Sequence, residues 1–298
     1  MKTFKEYLQE TVEATTRQNM IHLQKMDDVA FIDFAHKLKR ETGGKLQDIK
    51  VSLKVDGGGG RFGLDASGRP FFEGSRTGPI FEPKSFSKHA ASKGATGEVL
   101  VRSQHYDDMF DLVTSSKWIK TLPEDCKVVC ELFYNPMGKL ESDGITFVTV
   151  KYDRSKLGSL MTIIPFKALV ASTGADHPDS GQIVAGLLQQ STSEVRFVSP
   201  TLATNGTIDI SAMLDPVLGL GDKTKAVLKS RLKTDAEEKR TVKALLQLAK
   251  ETIAEYILAH PSILNKDLLG PDIEGLVLNI AGQDFKVTTT DFKASKQK

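Results

Sequence analysis

Six separated stretches of the sequence carry side chains that could act on phosphorus. Lys54 opens K-V-D-G at 54–57 and a glycine run follows it to Gly60. Glu73 begins E-G-S-R-T-G-P-I, Glu131 sits in V-V-C-E-L-F, and Phe166 lies in I-I-P-F-K-A-L. Glu274 opens E-G-L-V-L-N, and Lys286 lies in D-F-K-V-T-T-T-D-F-K, which ends at Lys293. A phosphate can approach a lysine closely where glycines follow it, because glycine removes side-chain bulk and bares backbone N–H groups. An amine must be neutral to attack phosphorus, a state that burial or neighbouring positive charge favours. Arg61, Arg76 and Lys286 are the cations available for that, and they would also neutralise a triphosphate. Glu131 and Glu274 offer hard carboxylate oxygens, which suit Mg²⁺ better than zinc. Phe166 can stack on a purine. Together these groups have the makings of covalent nucleotidyl transfer. Taken singly, each has a plainer meaning: strand lysines usually face solvent, glutamates at strand starts are usually surface residues, and glycine runs usually mark loops. The joint occurrence favours the chemical reading.

The elements that must hold these residues can be read from periodicity. Apolar spacing predicts a helix over 27–41, closed by Gly43-Gly44. From Val51 the pattern alternates, and Asp65-Ala66-Ser67-Gly68 reads as the turn of a hairpin. Residues 81–97 are polar and rich in Gly, Ser and Lys, so they read as a loop; a helix is expected over 104–118. Strands are expected at 126–134, 145–153, 160–170 and 195–200, and two more close the chain at 274–280 and 283–292. Residues 208–268 differ, with a helical stripe through Val242, Leu245, Leu246, Ala249, Ile253, Tyr256 and Ile257. Nine Lys/Arg stand against four Asp/Glu within 222–250, a local excess of five positive charges that suits a solvated helix face or contact with nucleic acid. The expected fold class is α+β, with antiparallel sheets flanked by helices. Its expected divisions are an N-terminal segment 1–12, a main domain of 13–207 and 269–298, and a basic helical insert of 208–268.

Composition narrows the field. With 298 residues, 40% hydrophobic and 26% charged, the chain has length enough to bury a core. No apolar run is long enough to span a membrane, and no membrane partner is expected. Two cysteines, Cys126 and Cys130, bracket a strand and read as core residues. The histidines have no zinc-site spacing. Gly58 to Gly63 formally matches G-x-G-x-x-G but leads into a hairpin rather than a helix, so a dinucleotide fold is rejected. Gly-Asp-Lys-Thr at 221–224 is not a phosphate-cradling loop.

The ordered set resembles the covalent nucleotidyltransferase superfamily of ATP-dependent DNA ligases, RNA ligases and mRNA-capping enzymes. Lys54-Val55-Asp56-Gly57 is similar to its lysine motif K-x-D-G, and Ser75-Arg76-Thr77-Gly78 to S-R-x-G. The extension Arg76 to Ile80 resembles nick-sealing phage RNA ligases. Glu131, Phe166, Glu274 to Val277 and Lys286 match the later motifs in order. The resemblance implies a ligase-type adenylation domain. It casts Lys54 as nucleophile, and Asp56, Gly57, Arg61, Arg76, Phe166, Lys286 and Lys293 as contacts to ATP. Glu131 and Glu274 become the Mg²⁺ residues. It implies lysyl–AMP formation, transfer of AMP to a 5′-phosphate, and sealing by a 3′-hydroxyl of a nicked duplex or of strand ends. The chain departs from the pattern in four places. Arg61 lies four residues after Gly57 where the family arginine lies two after; Thr288 stands where a second lysine is common; Lys167 follows Phe166 where aspartate is usual; and no OB domain is expected after the closing motif. The basic segment 208–268 is then the expected grip on nucleic acid.

Phe4, Tyr7, Leu8 and Val12 give the first residues an amphipathic helical spacing without the long apolar stretch of a secretory signal. M-K-T-F-K-E-Y-L-Q-E resembles capsid-targeting sequences of large tailed phages, with Leu8-Gln9-Glu10 similar to a prohead-protease site. That implies the capsid interior and that protease as partners, and the cytoplasm of an infected bacterium or the virion as location. Three functions remain open: an RNA-ligase-like enzyme, a DNA nick ligase of the same mechanism, and a packaged nucleic-acid-binding protein with a degenerate ligase fold.

Overall fold

The computed structural model describes residues 21–47, 49–55, 57–74, 77–135, 152–270, 273–280 and 283–289. The segment at 1–12 and nearly all of the strand expected at 145–153 lie outside the described residues. The architecture is mixed α+β, and the chain forms two units. The first comprises Met1–Lys54, Thr201–Lys266 and Glu274–Lys298; the second comprises Val55–Pro200 and Asp267–Ile273.

In chain order the first unit begins with β1 (Ile21–His22), α1 (Asp28–Thr42), β2 (Lys45–Leu46) and β3 (Lys50–Lys54). The second unit supplies β4 (Gly58–Leu64), β5 (Pro70–Gly74), α2 (Ser85–Ser92), α3 (Gly97–Ser115), β6 (Cys126–Tyr134), β7 (Met161–Val170), α4 (Ser180–Leu188) and β8 (Val195–Phe197). The chain then returns to the first unit with β9 (Thr201–Leu202), β10 (Ile208–Asp209), α5 (Ser211–Leu218), α6 (Asp222–Lys229), α7 (Ala236–Ala259), β11 (Gly275–Ile280) and β12 (Gln283–Thr288).

The first unit's main sheet has the order β1-β12-β11-β3-β9, antiparallel except for β1 on β12. Alternation gives it two unlike faces. Val51, Leu53, Leu276, Leu278, Phe285 and Val287 are buried on one of them. Helix α1 covers that side, with the Phe34 and Phe285 rings 5.1 Å apart. It starts where Asp27 Oδ1 accepts from the N–H groups of Val29 and Ala30, and stops at Gly43, whose φ of 66° suits glycine. Of the segment 208–268, residues 208–266 belong to this unit. Lys250, on α7, is buried and donates to Asp28 Oδ1 at 2.7 Å and to the Met26 carbonyl at 2.6 Å, while Lys225 on α6 pairs with Asp33 at 2.6 Å. These ties run from α6 and α7 to α1 and its entry.

The second unit's sheet has the order β5-β4-β6-β7-β8, antiparallel except for β7 with β8. Phe62, Phe72, Val128, Cys130, Leu132 and Ile163 form its buried face, against Met109, Phe110 and Val113 of α3. Cys126 and Cys130 belong to this core. Burial pushes the Cys126 thiol to about 11 and that of Cys130 well up also, so neither is a ready thiolate.

Two expectations fail here. Residues 85–92 are helical rather than loop, and α3 begins at Gly97, seven residues before the predicted start. The cause is a long-range cap: Asp107 on α3 is buried, and its Oδ1 and Oδ2 accept from the N–H groups of Phe86 and Ser87 at 2.9 and 3.0 Å. Lys84 at the start of α2 gives no side-chain cap of its own. Asp107→Ala removes both charge-assisted bonds and strands a buried N–H, so a loss of about 2–3 kcal/mol is expected in urea unfolding. A loss below about 0.5 kcal/mol would mean the α2–α3 pair holds without the cap.

Candidate functional site

Lys54 ends β3, and its side chain retains 19% exposure. Its Nζ donates to Glu274 Oε2 at 2.6 Å, and Glu274, only 6% exposed at the side chain, stands one residue before β11. Register explains the meeting. Lys54 pairs across to Gly275, which pairs to Thr288; two residues back, Ser52 pairs to Val277, which pairs to Lys286. Cross-strand partners point to the same side, so Lys54 and Lys286 share the sheet face opposite α1. Gly275 explains the glycine of E-G-L-V: a Cβ there would lie 2.0 Å from the Val287 carbonyl oxygen. The carbonyl of Glu274 also accepts from the Thr289 N–H at 3.0 Å, which pins the residue at the strand's entrance.

The sequence expectation put cations beside the nucleophilic amine. The structure puts a carboxylate at hydrogen-bond distance from it. A carboxylate favours the ammonium by Coulomb attraction, but it is also a base within reach of the amine's proton.

The second unit carries another set of candidates, on the sheet face opposite α3. Glu73 and Glu131 both pair with β4, at Arg61 and Gly59 respectively, two residues apart and hence on one face. Arg61 Nη1 donates to Glu73 Oε2 at 3.3 Å, and Lys127 Nζ lies 3.6 Å from Glu73 Oε1. Glu73 is buried, so Arg61 serves a structural ion pair here. Gly57 sits against Glu131. A Cβ on it would be 3.0 Å from the Leu132 carbonyl oxygen and 3.3 Å from Glu131 Oε2, so the glycine of K-x-D-G leaves room at the carboxylate. Phe166 occupies a β-bulge: Val129 pairs with Lys167 and Cys130 with Pro165, which leaves Phe166 unpaired and 40% exposed. An exposed ring on a re-aimed backbone is available for stacking.

Of the predicted site residues, Lys54, Glu274 and Lys286 lie together in the first unit, and Gly57, Arg61, Glu131 and Phe166 lie in the second. Asp56, Arg76 and Lys293 lie outside the described residues. Among the described residues no group of three His, Cys, Asp or Glu side chains could hold a metal by itself. A Mg²⁺ ion commonly takes one or two carboxylates and completes its shell with phosphate oxygens and water, so Glu274 in the first unit and Glu131 in the second are each of the donor type it takes. Sequence reasoning overlooked the Arg61–Glu73–Lys127 cluster. Its one signal was Glu73 itself, in a five-residue strand that reads simply as the start of a motif.

No protein-family model matches the chain, and no curated protein does. Solved structures of a Naegleria gruberi RNA ligase are similar to it at low identity. An apo variant has a TM-score of 0.42 and 12% identity, a variant with AMP and Mn 0.43 and 14%, and a variant with ATP and Mn 0.42 and 15%. Each comparison covers 95% of this chain but only 58% of the ligase chain, so this chain spans little more than half the length of the proteins it is similar to.

Proposed function

We propose that the chain is an ATP-dependent polynucleotide ligase, RNA-ligase-like, working through a lysyl–AMP intermediate. The observation that carries this reading is the Lys54 Nζ–Glu274 Oε2 contact at 2.6 Å, on a sheet face shared with Lys286. It joins two motifs 220 residues apart into one amine–carboxylate pair. The ordered motifs and the room that Gly57 leaves beside Glu131 support it further.

In this reading Nζ of Lys54 attacks the α-phosphorus of ATP. The N–P bond forms, the bond to the bridging oxygen breaks, and pyrophosphate leaves. The amine's proton passes to Glu274, which already accepts a hydrogen bond from it. Lys286, on the same face, offers positive charge to the phosphates. Phe166 stacks on the adenine. Glu274 would be a carboxylate donor to Mg²⁺, which would supply charge neutralisation at the phosphates, and Glu131 in the second unit is of the same donor type. A 5′-phosphate oxygen of the polynucleotide then displaces Lys54 from phosphorus. Attack by a 3′-hydroxyl makes the phosphodiester and frees AMP.

The test is incubation with α-labelled ATP or GTP and Mg²⁺, followed by denaturing electrophoresis. Label from ATP that survives denaturation is the expected result. Label from GTP alone would move the chain to the capping class, and label from neither would leave a nucleic-acid-binding protein. Nicked duplexes with RNA or DNA flanking the nick then separate the two ligase types, with faster sealing expected where RNA supplies the 3′-hydroxyl.

A further inference from the structure

The second unit holds a half-open cavity of about 980 Å³ that no motif announces. One wall is backbone. Among the described residues β5 pairs with β4 as far as Gly74 opposite Gly60, and the backbone of Gly58 and Gly59 lines this space. Tyr106, from α3, donates its hydroxyl to the Gly59 carbonyl at 3.3 Å and lines the same space. The other wall is the α2–α3 pair, which contributes His89 from α2 with Arg102 and Ser103 from α3. His89 and Arg102 are exposed, and no described residue lining the cavity is acidic. Lys84 and Lys88, with Glu82, are exposed on or beside α2.

The chemistry of this space selects its occupant. Glycine backbone without side chains, the Ser103 and Tyr106 hydroxyls and one basic side chain on each helix favour phosphate oxygens and sugar hydroxyls, and Ile80, Phe86 and Val99 give the lining an apolar part beside them. The volume stands at the upper end of the roughly 300–1,000 Å³ that holds a drug-sized ligand, so it takes much more than one phosphate.

We infer that the cavity between the Gly57–Gly59 backbone and the α2–α3 pair takes a phosphodiester segment of the polynucleotide strand, with Arg102 and His89 as its basic contacts. This deepens the ligase reading and rests on it for the strand's fate, though not for its binding. The grip then lies in the second unit, and the basic stretch of α7 is dispensable for it.

The experiment measures binding of fluorescent, 5′-phosphorylated single-stranded 12-mers of RNA and of DNA across a salt series, with no ATP present. The proteins are wild type, Arg102→Ala, His89→Ala/Arg102→Ala, and Arg240→Ala/Lys243→Ala on exposed α7 positions. Thermal midpoints confirm that each is folded. For the cavity double variant, a tenfold or greater loss of affinity is expected, with the salt slope reduced by about one or more. The α7 variant is expected to stay within threefold of wild type. Loss with both oligomers assigns the contacts to phosphate, and loss with RNA alone assigns them to ribose as well; either supports the inference. Unchanged affinity and slope in the cavity variants, loss confined to the α7 variant, or no binding by wild type overturns it. Because ATP is absent, a protein that forms no lysyl–AMP yet loses its strand through Arg102→Ala would overturn the ligase reading alone.

Discussion

Lys54→Arg is expected to take no label from α-labelled ATP, a loss of about 10⁴-fold or more, while remaining as stable as wild type. The two halves of that result come from different properties of one side chain. Structurally, position 54 has to present a cation to Glu274, whose side chain is 6% exposed and cannot shed its charge into solvent. An arginine meets that need, with a fork that suits a carboxylate. Chemically, the position has to present a nitrogen lone pair to phosphorus, and a guanidinium does not lose its proton in proteins. Lys54→Ala should lose label to the same extent but also lose stability, because it takes the Lys54 ion pair away from a buried carboxylate. The pair of variants therefore separates nucleophile from ion-pair partner. Label retained by Lys54→Arg would identify another residue as the one modified, and would end the reading of the K-x-D-G motif offered here.

Much of this was legible beforehand, and for local reasons. The first helix carried its stop and its cap in sequence, Asp27 before it and Gly43 after it. The hairpin between β4 and β5 turned where Asp65 to Gly68 said it should, with Gly68 at φ 76°. Lys54, Glu274 and Lys286 each stood in or beside alternating strands, so their motifs predicted strand-edge positions without knowledge of the pairing. What stayed hidden depended on partners far along the chain. Helix α2 reads as a loop because Ser, Ala, Lys and His dominate it and its N-terminal cap is Asp107, 21 residues beyond Phe86. The tie from α7 to α1 stayed hidden because nothing local to Lys250 announces Asp28, 222 residues earlier. The bulge at Phe166 depends on a register shift against β6 that alternation within β7 does not encode.

The site itself was misread in one respect that matters for mechanism. A nucleophilic lysine invites a search for neighbouring cations to favour the neutral amine, and Arg61, Arg76 and Lys286 were the candidates. Arg61 is committed to Glu73, a buried carboxylate that also meets Lys127. The group at Nζ is Glu274. The proposed role of Glu274 is therefore to take the amine's proton during the reaction.

Glu274→Gln tests that conclusion. Glutamine keeps an oxygen acceptor of nearly the same size at the same place, so the amine can still be oriented, but the amide cannot take its proton. A drop of about 10²–10³-fold in lysyl–AMP formation is expected at neutral pH, the range a positioned general base supplies. Stability should fall by about 1–3 kcal/mol, since a hydrogen bond to a charged group is weakened while Lys54 keeps some contact with water. The pH profile decides between the base and the other duties of the residue. With the carboxylate gone, solvent hydroxide must remove the proton, so the variant's rate should rise with pH more steeply than that of wild type and the gap should narrow. If Glu274 served only to bind Mg²⁺, the gap would instead stay constant with pH and shrink as Mg²⁺ is raised. A Gln variant that forms lysyl–AMP at the wild-type rate at every pH would remove Glu274 from the proton's path and leave the 2.6 Å contact as a structural ion pair.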